Sequence, residues 1–367
     1  MNQRLEQFSN WLKETEQTFA FVHTSANVFY LSNFNCEPHE RLLGLFVFPD
    51  QDPFLVCPGM EVSQVRDAGW KYDIIGHGDA DQPWDLIHSA LKKRGIDDAK
   101  QVSIEKETLS YGRAEQLMKR YPSVKFNNAE DKLNELRLIK DEEELAILRK
   151  AAELADFGVE TGVNALREGC TEMEVLATIE YELKKKGIRE MSFSTMVLFG
   201  EKSGQPHGNP GSRKLKKGDL VLFDLGVVLD GYCSDITRTV AFQEVNDKQK
   251  EIYDIVLKAQ LLTLDISEPG TRLGDLDKKA REVITNAGYG EFFPHRIGHG
   301  IGIDVHEYPS MSEDNDHVLK TGMTYTIEPG IYLPEVGGVR IEDDVLVTKD
   351  GYETLTKYPK ELQIVGN

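Results

Sequence analysis

The sequence predicts an α/β domain over residues 1–128 followed by an α+β domain over residues 129–367. Three observations lead there. A chain of 367 residues exceeds what one ordinary core accommodates. Its first third alternates short apolar runs with amphipathic stretches. Beyond the helix expected to end near Lys186, short β-type segments with Gly-rich turns take over, broken by one helical pair near 247–288.

Leu5, Phe8, Trp11 and Leu12 recur at helical spacing. Strands are expected at FAFV from Phe19, NVFYL from Asn27, LLGLFVF from Leu42, FLVC from Phe54, YDII from Tyr72 and VSI from Val102, with helices near 60–68, 84–94 and 108–119. The segment from Tyr121 to Lys132 closes the first domain. A long helix then starts at Asp141 with Leu145, Leu148, Ala152 and Leu154 on its apolar face and Gly169 as its stop, and a second runs from about Glu172 to Lys186. No tandem repeat or low-complexity tract is present.

The formal charge of −19 argues against nucleic acid and against an anionic membrane surface, both of which need concentrated Lys and Arg. Cys36, Cys57, Cys170 and Cys233 form no CxxC pair and read as reduced, buried thiols. The polar N-terminal stretch lacks the apolar core of a signal peptide, and no run approaches a membrane span, so the expected location is the cytoplasm.

Three clusters carry chemistry. In the segment from Gly218 to Val240, two β-type runs flank Asp230-Gly231, a two-residue hairpin signal. With that turn, Leu229 faces Tyr232, Val227 faces Ser234 and Asp224 faces Thr237, which sets Asp224 and Asp235 on one face as diagonal neighbours. Two carboxylates on a core-facing side repel each other, and a divalent cation removes the conflict. The second cluster, PHRIGHGIGIDVHEYP from Pro294, holds His295, His299 and His306, with Gly298, Gly300 and Gly302 expected to let the backbone approach a ligand. It is not the helical HExxH zinc motif. The third cluster places Glu328 before the Pro329-Gly330 turn and Arg340 and Glu342 on one face of the next strand; Glu342, Asp343 and Asp344 also read as a solvated edge. Four carboxylates and one histidine suit a pair of Mn²⁺, Co²⁺ or Zn²⁺ ions better than a thiolate zinc site, and Cys233 reads as core.

The order Asp-(x10)-Asp … His … Glu … Glu resembles the dinuclear pita-bread (creatinase/aminopeptidase fold) metallopeptidases, family M24, and does so over nearly the whole chain. The resemblance implies Asp224, Asp235, His299, Glu328 and Glu342 as metal ligands, with Glu328 also shuttling the proton. It implies His207, in FGEKSGQPHGNPG, near the substrate, His306 on the tetrahedral oxyanion, His295 in the pocket wall, and Tyr332 and Arg340 as supporting polar groups. The N-terminal domain resembles the creatinase-type domain of creatinase, aminopeptidase P and prolidase, and creatinase lacks the ligands present here. HRIGHGIGIDVHE and NFNCEPHERLL resemble bacterial Xaa-Pro dipeptidases (prolidases), in which such a loop reaches the partner's site in a homodimer, so Glu37 and His39 are expected to bind substrate. Arg296 is expected to recognise the free carboxylate of a dipeptide.

The resemblance thus implies hydrolysis of Xaa-Pro dipeptides, with release of proline, by a hydroxide bridging two divalent ions, Mn²⁺ before Co²⁺ or Zn²⁺. The alternatives are a Xaa-Pro aminopeptidase acting on longer peptides and a non-catalytic binding protein on the same scaffold.

Overall fold

The structure, a computed structural model, describes residues 3–366; residues 1, 2 and 367 of the expected domains lie outside it. The chain divides into two compact units between Arg137 and Leu138, one helix beyond the division at Asn128 read from the sequence.

The first unit is built on β1 (Phe19–Val22), β2 (Gly44–Val47), β3 (Phe54–Pro58), β4 (Asp73–His77), β5 (Gln101–Ile104) and β6 (Lys125–Asn128), which form one sheet in the order β4-β3-β2-β1-β5-β6. β1 pairs antiparallel with β2 and parallel with β5. Its helices are α1 (Gln3–Glu14), α2 (Ser25–Ser32), α3 (Val62–Asp67), α4 (Pro83–Lys93), α5 (Tyr111–Arg120) and α6 (Glu130–Leu138). The core is a stack of phenyl rings; Phe46 and Phe54 lie parallel with centroids 4.7 Å apart. Each such fully buried ring stabilises the unit by about 1.5–3 kcal/mol relative to exposure.

The strand expected at NVFYL is helix α2. Its apolar run is short enough to serve either element, and contacts from outside the run decide. The Thr24 side chain caps the helix, accepting from the Asn27 N–H. The buried carboxylate of Glu105, just past β5, accepts from the backbone N–H groups of His23 and Thr24 and from the side chains of Thr24 and Asn27. Strand β6 and helix α6 were both absent from the sequence-based expectation, which treated that stretch as the end of the domain.

The second unit starts with α7 (Glu142–Ala165) and α8 (Glu172–Lys185), each opened by a reciprocal capping box, Asp141 with Glu144 and Thr171 with Glu174. α9 (Asp247–Leu264) and α10 (Leu273–Asn286) form the expected later pair. The strands are β7 (Glu190–Met191), β8 (Met196–Phe199), β9 (Leu220–Leu225), β10 (Val227–Leu229), β11 (Tyr232–Cys233), β12 (Ile236–Phe242), β13 (His299–Gly300), β14 (Glu307–Ser310), β15 (Thr324–Ile327), β16 (Gly330–Leu333), β17 (Gly337–Arg340), β18 (Asp343–Thr348), β19 (Gly351–Thr354) and β20 (Ile364–Val365). They make several small sheets, including β20-β12-β9-β8 and β14-β13-β15-β18-β19. All their pairings are antiparallel except β12 with β20.

The two helix pairs cover different strands. Buried residues of α7 and α8 pack on β8, β9 and β12, whereas those of α9 and α10 pack on β15 to β18. α7 lies so close to β9 that a Cβ at Gly162 would stand 2.7 Å from the Phe223 ring. That contact backs the strand carrying Asp224.

Candidate metal centre

The hairpin forms in the expected register: Leu229 opposes Tyr232 and Asp224 opposes Thr237, and the Ser234 N–H donates to the Val227 carbonyl at 3.0 Å. Asp230 (φ 48°) and Gly231 (φ 86°) both take the left-handed conformation that a type I′ turn demands. Asp224 near the end of β9 and Asp235 just ahead of β12 are both buried.

Asp235, His299 and Glu342 offer ligand atoms that all lie within 4.8 Å of one another. Glu328 joins them, with Oε1 3.5 Å from His299 Nε2. Asp224 turns Oδ2 toward Arg340 in a close ion pair. The Oδ1 atoms of Asp224 and Asp235 are buried without a hydrogen-bond donor among the described residues. Buried acceptors left this way are costly.

Electrostatics repeat the point. Burial, then Glu342 and Asp224, raises the Asp235 carboxyl well above its ordinary range. Burial, then Glu328 and Asp224, does the same to Glu342. Glu328 is pushed up to about 7, by burial against the opposing pull of Arg340. Burial, aided by His306, lowers His299 to about 3 and so keeps it neutral, the form that ligates. Anionic oxygens crowded in a dry site, with a neutral imidazole among them, fit a divalent cation: it supplies the charge that protons would otherwise have to bring.

Neighbouring side chains orient the donors. Thr237 Oγ1 donates to Glu342 Oε2 at 2.6 Å and accepts from Arg340 Nε at 3.0 Å. Thr326 Oγ1 accepts from the His299 N–H at 3.2 Å and donates to Glu328 Oε1 at 3.4 Å. Asp344 Oδ2 accepts from the Asp235 N–H at 3.0 Å. The sequence reading named none of these three for a role at the site. A signal existed for the threonines, because Thr237 lies two residues beyond Asp235 and Thr326 two before Glu328, the spacing that puts side chains on one side of an extended chain. The solvated edge considered for Glu342, Asp343 and Asp344 does not form; all three are buried. Behind them the fully buried Arg238 donates to Asp343 Oδ1 at 2.7 Å and to the Glu342 carbonyl.

A cavity of about 410 Å³ opens on this cluster, and His207, His295, Arg296, His306 and Arg340 line it with all five expected ligands. Tyr332 stands behind the wall, its hydroxyl 2.8 Å from His295 Nε2 and 2.9 Å from Arg340 Nη1. Phe193, Met196, Pro206 and Val305 add apolar wall that the sequence reading missed. Glu37 and His39 belong to the first unit, on an exposed loop between α2 and β2 where the His39 N–H donates to Glu37 Oε1 at 3.2 Å. Cys233 is core-like, with its thiol raised to about 12 by burial, and the four cysteines are buried and free.

One expectation needs correction. The glycines of the His299 segment accommodate neighbouring chain, not a ligand: a Cβ at Gly298 would lie 1.9 Å from the Thr326 carbonyl oxygen, and one at Gly300 2.4 Å from that of Tyr308. They let β13 press against its flanking strands, which fixes His299 over the carboxylates.

A buried cluster of carboxylates and one neutral imidazole, reached by a cavity on small antiparallel sheets, defines a metallopeptidase. The chain belongs to metallopeptidase family M24, whose profile matches residues 146–349, and carries a creatinase/prolidase N-terminal domain over residues 4–139. YkvY of Bacillus subtilis, which bears the provisional name of a dipeptidase, is 62% identical over 362 residues, 99% of each chain. The prolidase from Pyrococcus horikoshii superimposes with a TM-score of 0.91 at 35% identity, over 99% of this chain and 100% of that one. The Xaa-Pro dipeptidase from Bacillus anthracis does so with the same score and identity over 99% of each. The expected pita-bread fold is therefore the fold of this chain.

Proposed function

We propose that this chain hydrolyses Xaa-Pro dipeptides with two divalent ions, Mn²⁺ before Co²⁺ or Zn²⁺, held by Asp224, Asp235, His299, Glu328 and Glu342. The observation that carries the reading is the set of buried carboxylates with unpartnered oxygens beneath a cavity that Arg296 lines. Bound ions supply Lewis acidity and lower the pKa of a coordinated water. Arg340 compensates Asp224, and Thr237 sets the rotamer of Glu342.

Glu328 takes a proton from the attacking water and delivers it to the proline nitrogen as the C–N bond breaks. His306, lowered chiefly by burial and therefore neutral near pH 7, donates to the developing oxyanion. His207 binds the substrate beside it. Arg296 receives the free carboxylate, and Glu37 and His39 act across a homodimer in the cytoplasm. An Xaa-Pro bond is a tertiary amide with no N–H to grip, which explains a dedicated site.

Chelator-stripped protein reloaded with each metal tests the proposal against a Xaa-Pro dipeptide and the matching Xaa-Pro-Yaa tripeptide. Metal-dependent cleavage of the dipeptide alone is expected. Preference for the tripeptide would make the chain a Xaa-Pro aminopeptidase, and no cleavage of either would return it to a binding protein on this scaffold.

A further inference from the structure

The His207 ring makes no hydrogen bond among the described residues, so the backbone that carries it decides its place in the cavity wall. That backbone, residues 205–213, belongs to no helix or strand. It is tied from behind by one carboxylate. Glu172, the first residue of α8, is fully buried. Its Oε1 accepts from the Phe199 N–H at 3.0 Å, at the end of β8. Its Oε2 accepts from the Gly211 N–H at 2.7 Å and forms a close ion pair with Lys202. The Lys202 ammonium also donates to the Asn209 carbonyl at 2.9 Å. The backbone follows the same path: the Glu172 N–H donates to Arg213 O and the Met173 N–H to Gly211 O, each at 3.2 Å.

Glu172 thus holds the entry to the loop, at Phe199 and Lys202, and its exit at Gly211, while Lys202 adds Asn209, with His207 between them. A fully buried carboxylate is stable only when its oxygens are saturated by donors and its charge is matched. Two N–H groups and one ammonium do this here, and the helix N-terminus adds favourable potential. Neither Glu172 nor Lys202 lines the cavity. Without Lys202 the carboxylate would lose its counter-charge and Asn209 its donor, while the Gly211 anchor, the two backbone bonds from the start of α8 and the 3.5 Å bond from Arg340 Nη1 to the Pro206 carbonyl would remain.

We propose that Glu172 and Lys202 form a clasp that positions His207 against bound substrate. Both are positioning residues. The inference rests on the dipeptidase reading for the role of His207 but not for the ordering of the loop, so the two are measured separately.

The test uses the full chain, loaded with Mn²⁺, as Lys202→Met, Lys202→Arg, His207→Ala and the double variant K202M/H207A. Hydrogen exchange of residues 203–211 is followed beside Mn²⁺ binding by calorimetry and the kcat and KM for a Xaa-Pro dipeptide. Lys202→Met is expected to speed exchange in that segment about tenfold and leave β9 and β18 protected, with Mn²⁺ binding unchanged. Its kcat should fall about tenfold, with no further loss when His207 is already Ala. Lys202→Arg, which keeps the charge, should lie between and still reports if the Met variant does not fold. Unchanged exchange in both Lys202 variants, or losses that multiply in the double variant, would overturn the clasp. A wild-type chain that cleaves no Xaa-Pro peptide would refute the dipeptidase reading instead, and the exchange rates alone would then judge the clasp.

Discussion

Arg296 lines the cavity with a guanidinium that donates to Ser310 Oγ at 3.1 Å and has no carboxylate partner among the described residues. A cation left uncommitted beside buried acids is suited to an anionic substrate group, whereas Arg340, ion-paired with Asp224, is not free for one. Arg296→Ala should therefore raise the KM for a Xaa-Pro dipeptide about 10- to 100-fold, the equivalent of one charge-assisted hydrogen bond. The KM for Xaa-Pro-Yaa should move much less, because its carboxylate lies one residue further out. Steady-state kinetics on the two substrates decides it, and equal changes would remove Arg296 from the specificity argument. His306 shows the same logic of neighbours: its ring centroid lies 3.9 Å from that of His299, and burial, then the positive charge of Arg296, disfavours its own protonation.

Helix α2 shows how an element can depend on a distant side chain. Burial alone would raise the Glu105 carboxyl, but His23 and Asn27 outweigh it and hold it at about 2, against an ordinary 4.5. Because the folded value is depressed, the stabilisation is complete above pH 4.5 and is lost as pH falls through about 2. The difference corresponds to about 3 kcal/mol. Glu105→Gln should thus destabilise the first unit by up to that amount at pH 6, measured by urea unfolding, with the deficit shrinking between pH 5 and pH 2.5. A deficit constant over that range would show that the charge on Glu105 contributes nothing. The β10–β11 turn is the local counterpart, since Asp230 and Gly231 satisfy its backbone themselves and need no distant help.

For the whole molecule, the proposed ion loading should be coupled to stability through the same carboxylates. Asp235, Glu328 and Glu342 all have raised values. A raised carboxyl stabilises the folded chain below its unfolded value and ceases to do so as pH rises through its folded value, which for Glu328 spans 4.5 to about 7. Metal-free protein should therefore lose stability from pH 5 to pH 8, and the rise in Tm on adding saturating Mn²⁺ should be larger at pH 8. Differential scanning calorimetry with and without chelator tests this, and an equal rise at both values would mean that the ions do not bind at these groups. Among the described residues no helix is long and apolar enough to cross a membrane.

Most of the framework was legible because it is local. The Asp230-Gly231 turn set its own register, since only left-handed residues close a two-residue hairpin, and that register put Asp224 opposite Thr237. Charged residues in an apolar strand pattern marked Glu342 and Arg340, and the spacing of Asp224, Asp235, His299, Glu328 and Glu342 carried the family resemblance. Tertiary structure alone decided whatever depends on a partner far along the chain. It made NVFYL a helix, because Glu105 satisfies donors more than seventy residues away. It buried Asp343 and Asp344 through Arg238 and the Asp235 backbone, and gave Thr237 and Thr326 their tasks. A threonine or a glutamate reads as a solvent-facing residue until the groups that accept and donate to it are brought within hydrogen-bonding distance, and only folding does that.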